Sequence, residues 1–322
     1  MKASVCPLCG TGAGCTVGEF AYDEIFESLR SDWGASIGSA TRRASAPVEV
    51  TRLIRCEGCG LERFDPLAPG GPDFYDELMA KMPYNPHRWE FDVVGVRVMP
   101  DDDVLDLGCG EGAFLRALGD RFGRTVGIDH NVAAVGRLGD AGVEAHVAGF
   151  DDVARRETGN FDVVTAFHLL EHVDDPVGVV RAAAACVRTT GRVFVSVPNR
   201  DRSYRGDTEV LDCPPHHVTR WSAAQLHALA ERTGLSVRRI SFEPPDLSVA
   251  RELARRSAAI RLQRLPARKR EVVAKAWGRA AVGPRRHAAD VRRDGFAKRG
   301  VYGHAVLAEF APSHAMSRAV SA

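Results

Sequence analysis

From Asp101 onward the apolar positions alternate between two rhythms. "DVLDLGC", "TVGID", "EAHVAG", "FDVVTAFH" and "GRVFVSVP" are short β-branched runs, the pattern of strands buried in a sheet. Between them "EGAFLRALGDRFG" and "PVGVVRAAAACVR" carry helical spacing. Strand–helix alternation of this kind predicts a parallel sheet with right-handed crossovers. After the helix "SAAQLHALAERTG" come two more strand candidates, "SVRRISF" and "VYGHAVLAEF". Upstream, "AYDEIFESLRSDWG" reads as a helix over 21–34, and "DPLAPGGPDF", Asp65 to Phe74, reads as the clearest linker.

Length and charge refine this picture. The 322 residues suit one large core with a smaller unit beside it. We divide the chain into an amino-terminal unit over 1–68, a linking and covering segment over 69–100, and the α/β domain over 101–322. No apolar run reaches the roughly 20 residues that span a bilayer, and "MKASVCPLCG" lacks the apolar core of a secretory signal. We therefore expect a cytoplasmic protein with no membrane partner. The net charge of +1 is unevenly spread, because Arg251 to Gly300 holds 16 Lys or Arg against 4 Asp or Glu. This stretch lies within a helical insertion expected over 246–300, ahead of the last strand. Its few aromatics argue for a solvated helical face over a base-stacking surface.

Eight cysteines in a reducing compartment ask for something other than disulfides. Four of them form two matched knuckles, "CPLCG" with Cys6 and Cys9, and "CEGCG" with Cys56 and Cys59. Two C-x-x-C pairs offer four thiolates to one tetrahedral ion. The glycine after each pair permits the turn that aims both sulfurs inward. We expect a structural zinc in a ribbon-like module that carries its own helix.

The richest chemistry sits in "DVLDLGCGEGAFL", where Gly108, Gly110 and Gly112 alternate. A dinucleotide site wants G-x-G-x-x-G and a helix terminus free to receive pyrophosphate. Here the spacing is G-x-G-x-G, and Asp106 would repel phosphate but accept from an ammonium group. In "GIDHN", Asp129 ends the next strand, placed to accept from two ribose hydroxyls. A nucleoside with a cationic amino-acid tail and no phosphate matches both acids, and S-adenosylmethionine is such a molecule.

Four motifs in order, "LDLGCGEGAFL", "GIDHN", "FDVVTAFHLLEHVDDP" and "GRVFVSVPN", give the chain from about Trp89 onward a resemblance to the class I S-adenosylmethionine-dependent methyltransferases. The resemblance implies a seven-stranded, doubly wound, Rossmann-like sheet with its last strand antiparallel. It also implies that Asp106, Gly108, Cys109 and Gly110 surround the methionine part of the cofactor, with Asp129 and His130 at the ribose side. Asp151, one place after Phe150 in "AGFDDV", is the candidate adenine contact. Gly112 is open to either a cofactor or a helix-packing role. Phe167 and His168 would wall the transferred methyl, while Glu171 and His172 would fix the following turn. Tyr84 and Trp89 in "PYNPHRWEF" would fold over the cofactor or pack on the sheet.

The amino-terminal knuckles and "CPPHHVTRWS" make the chain similar to methyltransferases of nucleotide-linked sugars and secondary metabolites. "HH" resembles the histidine segment of sugar C-methyltransferases, although Pro214 replaces their tyrosine and His216 their glutamate. By that resemblance His217 is the general base, with His168 in reserve, and the acceptor is a small molecule methylated on oxygen or carbon. Two other readings are an RNA methyltransferase that docks through the knuckles and the basic segment, and a binding protein that keeps the cofactor fold without catalysis. We expect nucleic acid to be the lesser partner, since no N-P-P-[YF]-type motif follows the fourth strand.

Overall fold

The structure is a computed structural model that describes residues 5–81, 87–119, 122–202, 210–245 and 303–313. Tyr84, the basic stretch and the insertion expected over 246–300 lie outside these residues.

The amino-terminal unit runs β1 (Gly14–Ala21), α1 (Tyr22–Trp33), α2 (Ser39–Ser45), β2 (Val50–Cys56), β3 (Glu62–Asp65) and α3 (Pro72–Met79). Helix α1 forms where the sequence suggests, because Tyr22, Ile25, Phe26 and Leu29 share one buried face. Gly34 ends it in the left-handed region at φ 67°, its N–H returning to the carbonyls of Arg30 and Leu29. Phe64, Phe74 and Leu78 complete this core, together with Val210 and Cys213 from far along the chain. The stretch read as a linker therefore ends in a core residue, Phe74.

The larger unit continues with α4 (Trp89–Gly95), β4 (Val104–Leu107), α5 (Ala113–Leu118), β5 (Thr125–Asp129), α6 (Val132–Asp140) and β6 (Glu144–Val147). It then runs α7 (Phe150–Arg156), β7 (Phe161–Phe167), α8 (Pro176–Cys186), β8 (Val187–Pro198), β9 (Thr219–Arg220), α9 (Ala223–Arg232), β10 (Leu235–Phe242) and β11 (Ala305–Pro312). All seven strand candidates join one sheet in the order β10-β11-β8-β7-β4-β5-β6. Strands β4 to β8 are mutually parallel, and β11 runs antiparallel to both β8 and β10. This is the doubly wound, Rossmann-like sheet, with helices around it, that the sequence predicts.

The chain moves outward from β4 through β5 to β6, then returns to the other side of β4 with β7. Strand order thus reverses between β4 and β7, and their carboxyl ends open the crevice where such sheets bind ligands.

Short β9 leaves the large unit and pairs with β3, Glu62 opposite Arg220 and Arg63 opposite Thr219. It completes a four-stranded sheet, β1-β2-β3-β9. Trp221, fully buried, follows at once and donates its indole N–H to Thr219 Oγ1 at 2.8 Å. The two units are stitched together at the segment that carries His216 and His217.

Candidate functional site

The glycine loop leaves β4 in a conformation that few other residues adopt. Gly108, Gly110 and Gly112 have φ of 72°, 52° and 66°. A Cβ at Gly108 would stand 2.8 Å from Leu169 Cδ1, and one at Gly112 would stand 2.2 Å from Leu138 Cδ2. A side chain at Gly112 would both displace Leu138 of α6 and sit at a positive φ, so packing of α5 against α6 favours glycine there. Cys109 is buried beneath the loop, its thiol pushed up by burial, and a Cβ at Gly127 would strike its sulfur.

Asp129 ties this loop to the next strand. One carboxylate oxygen accepts from Gly110 N at 2.7 Å and the other from Asn131 N at 2.8 Å. A carboxylate has about four acceptor sites, so half-buried Asp129 keeps capacity for two hydroxyl donors. His130 beyond it is exposed and pairs edge-on with Phe150, ring centres 5.2 Å apart. The exposed Asp151 follows Phe150 in the first turn of α7.

Asp106 is nearly inaccessible, and among the described residues only the Thr165 hydroxyl donates to it, at 2.6 Å. Burial pushes its carboxyl up to about 7, with the charge of Asp129 adding to the rise. A buried acid lacking a cation fits a ligand that brings an ammonium group. The loop, Asp129 and Asp106 together suit S-adenosylmethionine.

The sign of the pH effect follows. In the free fold Asp106 holds its proton until about pH 7, whereas in the unfolded chain it loses it near 3.9. Its contribution to stability thus declines as pH rises from about 4 through 7, and an ammonium ligand reverses this by favouring the carboxylate. Cofactor affinity is expected to climb with pH and level off above about 7. Calorimetry at about pH 5.5 and 8, in buffers of differing ionisation enthalpy, should show proton release at the lower value. Flat affinity and no released proton would contradict this role for Asp106.

Around the end of β7 stand a cluster of aromatics and a cluster of charges. Phe167, Phe91 and Phe114 form a triangle with ring centres 5.0–5.5 Å apart, and Trp89 packs partly buried on the same cluster. His168 follows with φ of 48°, rare for a non-glycine residue. Its N–H donates to Ser196 O at 2.9 Å. Its Nε2 lies 2.6 Å from Glu90 Oε1 and its Nδ1 3.2 Å from Glu171 Oε1. Burial opposes the charge, but Glu171 and Glu90 outweigh it and hold His168 up to about 9. Burial likewise opposes the charge on Glu171, yet His168 and His172 keep it down at about 2. A charged imidazolium with both nitrogens engaged has no lone pair with which to accept a proton.

Three histidines gather where the turn after β7 meets the segment before β9. His172, His216 and His217 have ring centres 4.7, 4.8 and 4.3 Å apart. Burial pushes His172 and His217 down to about 4 and His216 to about 3, so the rings are neutral near pH 7. His217 Nδ1 lies 3.4 Å from Asp212 Oδ1. Arg202 donates to the other oxygen of Asp212 at 2.7 Å. Burial resists ionisation of Asp212, but His217 and Arg202 hold it well below the usual carboxylate range.

The amino-terminal unit fixes this segment in place. Gly70 N donates to Pro215 O at 2.8 Å, Phe64 N to Val218 O at 2.9 Å, and the Tyr75 hydroxyl to His216 O at 3.2 Å. Sequence reasoning missed Tyr75, Glu90 and Asp212, and gave His172 only a turn-fixing role.

Cys6, Cys9, Cys56 and Cys59 converge, their sulfurs all within 4.8 Å of one another. Cys9 and Cys56 are 3.3 Å apart, and Cys6 and Cys59 3.6 Å. Tetrahedral zinc with bonds of about 2.3 Å would set sulfurs about 3.8 Å apart, so the cluster fits such an ion. The two turns match, Gly10 N bonding to Cys6 O and Gly60 N to Cys56 O. The cluster rests on the larger unit, where Gln225, Arg232 and Arg200 donate to the carbonyls of Cys59, Cys9 and Gly60.

The fold is a doubly wound, Rossmann-like sheet that carries a glycine loop and two acids at its switch point. A family model described as "Methyltransferase domain" matches residues 74–240. The ubiquinone biosynthesis O-methyltransferase of Hydrogenovibrio crunogenus is 31% identical over 202 residues, covering 57% of this chain and 83% of that protein. The enzyme of the same name from Acinetobacter baumannii (strain AYE) is 32% identical over 152 residues, covering 45% of this chain and 64% of that protein. A solved S-adenosylmethionine-dependent methyltransferase from Archaeoglobus fulgidus superposes with a TM-score of 0.44 at 15% identity, covering 68% of this chain and 93% of that one. The chain belongs to the methyltransferase-domain family and is an S-adenosylmethionine-dependent methyltransferase. No helix among the described residues is long and apolar enough to cross a membrane.

Proposed function

We propose that the chain methylates a small molecule, a nucleotide-linked sugar or another secondary metabolite, at a hydroxyl or acidic carbon, with His217 removing the proton. The observation that carries this reading is the buried Asp212–His217 pair, held by backbone hydrogen bonds from the amino-terminal unit. The O-methyltransferase names of the relatives favour oxygen as the acceptor atom. S-adenosylmethionine supplies a methyl group on sulfonium, already a good leaving group. The protein has only to align, exclude water and remove one proton. Asp106 and Asp129 orient the two ends of the cofactor, and the Phe91–Phe114–Phe167 triangle excludes water on one side. Asp212 holds the His217 tautomer with Nε2 free to accept. Zinc at the four cysteines is structural in this reading, fastening the amino-terminal sheet beside β9.

Asp129→Ala tests the cofactor site. It is expected to weaken S-adenosylmethionine binding by about 1.5–3 kcal/mol, as loss of charge-assisted hydrogen bonds does. Unchanged affinity by calorimetry would remove Asp129 from the site.

A further inference from the structure

We infer that His172, His216 and His217 form a binding site for a divalent transition-metal ion, separate from the cysteine cluster. One ring nitrogen of each lies within 4.8 Å of the other two. Their tautomers are fixed by what stands behind them. His172 Nδ1 is 2.7 Å from His216 O, and His216 Nδ1 is 2.9 Å from Leu211 O. A backbone carbonyl can only accept, and the Tyr75 hydroxyl, 2.9 Å from His172 Nδ1, itself donates to His216 O; this network is met when both Nδ1 atoms carry the proton and both Nε2 atoms carry a lone pair. Asp212 sets the same tautomer on His217. An imidazole held from behind by a carbonyl or carboxylate, with its other nitrogen bare, is the arrangement that metal-binding histidines adopt.

A buried carboxylate stands next to one of the three rings. Glu171 is buried, and its Oε2 has no hydrogen-bond partner among the described residues. Its Oε1 lies 3.9 Å from His172 Nε2. Convergent ring nitrogens that offer only lone pairs to one another are costly without a donor or a cation between them. A cation among the three nitrogens answers that deficit, whereas a purely structural stack of rings does not. Three neutral imidazoles select zinc, cobalt, nickel or copper over magnesium or calcium. Bonds of about 2.0–2.1 Å require nitrogens about 3.4 Å apart, so the rings must close by roughly an ångström through side-chain rotation. His172 and His216 are half-buried, which leaves an approach from solvent.

The site does not depend on the methyl-transfer reading, but its consequence rests on it. One lone pair on His217 cannot hold an ion and accept a proton together, so an occupied site suppresses transfer.

The test is a cobalt(II) titration of the metal-depleted full chain, followed by absorbance, with S-adenosylmethionine calorimetry on the same sample. Two equivalents per chain are expected: one with intense sulfur-to-cobalt bands from the cysteines, and one with only weak visible bands from nitrogen ligands. His172→Ala combined with His216→Ala should lose the second equivalent and keep the sulfur bands. Cys56→Ser combined with Cys59→Ser should lose the sulfur bands and keep the other set. A single equivalent in the wild-type chain, carrying the sulfur bands, would overturn the site, as would two equivalents in the histidine variant. The calorimetry reads the cofactor assignment independently of either result.

Discussion

His217→Asn is expected to lower turnover by about 10²–10⁴-fold, the usual contribution of a general base, while leaving S-adenosylmethionine affinity essentially unchanged. The asymmetry follows from position. In the proposed function His217 faces the acceptor, hydrogen-bonded to Asp212, whereas the groups proposed to hold the cofactor lie on the β4 and β5 loops. Asn preserves polarity and approximate shape but cannot take a proton near neutral pH. The readout is S-adenosylhomocysteine release in the presence of an accepted hydroxylated small molecule, with cofactor affinity measured separately. Wild-type turnover in the variant would reduce His217 to a structural residue. Equal losses in turnover and cofactor affinity would instead point to collapse of the pocket.

The second large effect concerns His168. His168→Leu leaves Glu90 and Glu171 buried and facing each other without their shared cation. Removing one partner from a buried ion pair costs about 3–5 kcal/mol, most of it the charge left behind. Urea unfolding should show a loss of that size. Adding Glu90→Gln should recover part of it, since one of the stranded charges is gone. A loss under about 1 kcal/mol, typical of a surface change, would mean that the three groups do not form the charged triad seen in the fold.

The large sheet was legible in the sequence because each of its strands is a local apolar run with its own punctuation. "FDVVTAFH" and "TVGID" begin and end almost where β7 and β5 do. Other boundaries moved for tertiary reasons. Strand β8 begins at Val187, directly after α8, while the sequence suggested Gly191. Helix α5 closes at Leu118, where Gly119 takes a positive φ, short of the predicted Gly123.

The four-stranded sheet was harder to see. Strand β9 is only two residues long, and its partner β3 lies over 150 positions earlier, so no periodicity announces the pairing. The same is true of the histidine cluster. Tyr75, His172 and His216 come together across nearly 100 and over 40 positions, and only the fold brings them within hydrogen-bond reach. The cysteine knuckles were legible because ligand spacing within each pair is local. The glycine loop was legible as a loop because alternating glycines mark a backbone with positive φ, but its tie to Asp129 joins two strands and only the fold shows it.

The central claim is that the crevice between β4 and β7 binds S-adenosylmethionine, and calorimetric titration of the unmodified chain tests it most directly. The account predicts saturable binding of one S-adenosylmethionine per chain, weakened by Asp129→Ala, with NADH giving no saturable heat. Saturable NADH binding without any for S-adenosylmethionine would contradict it.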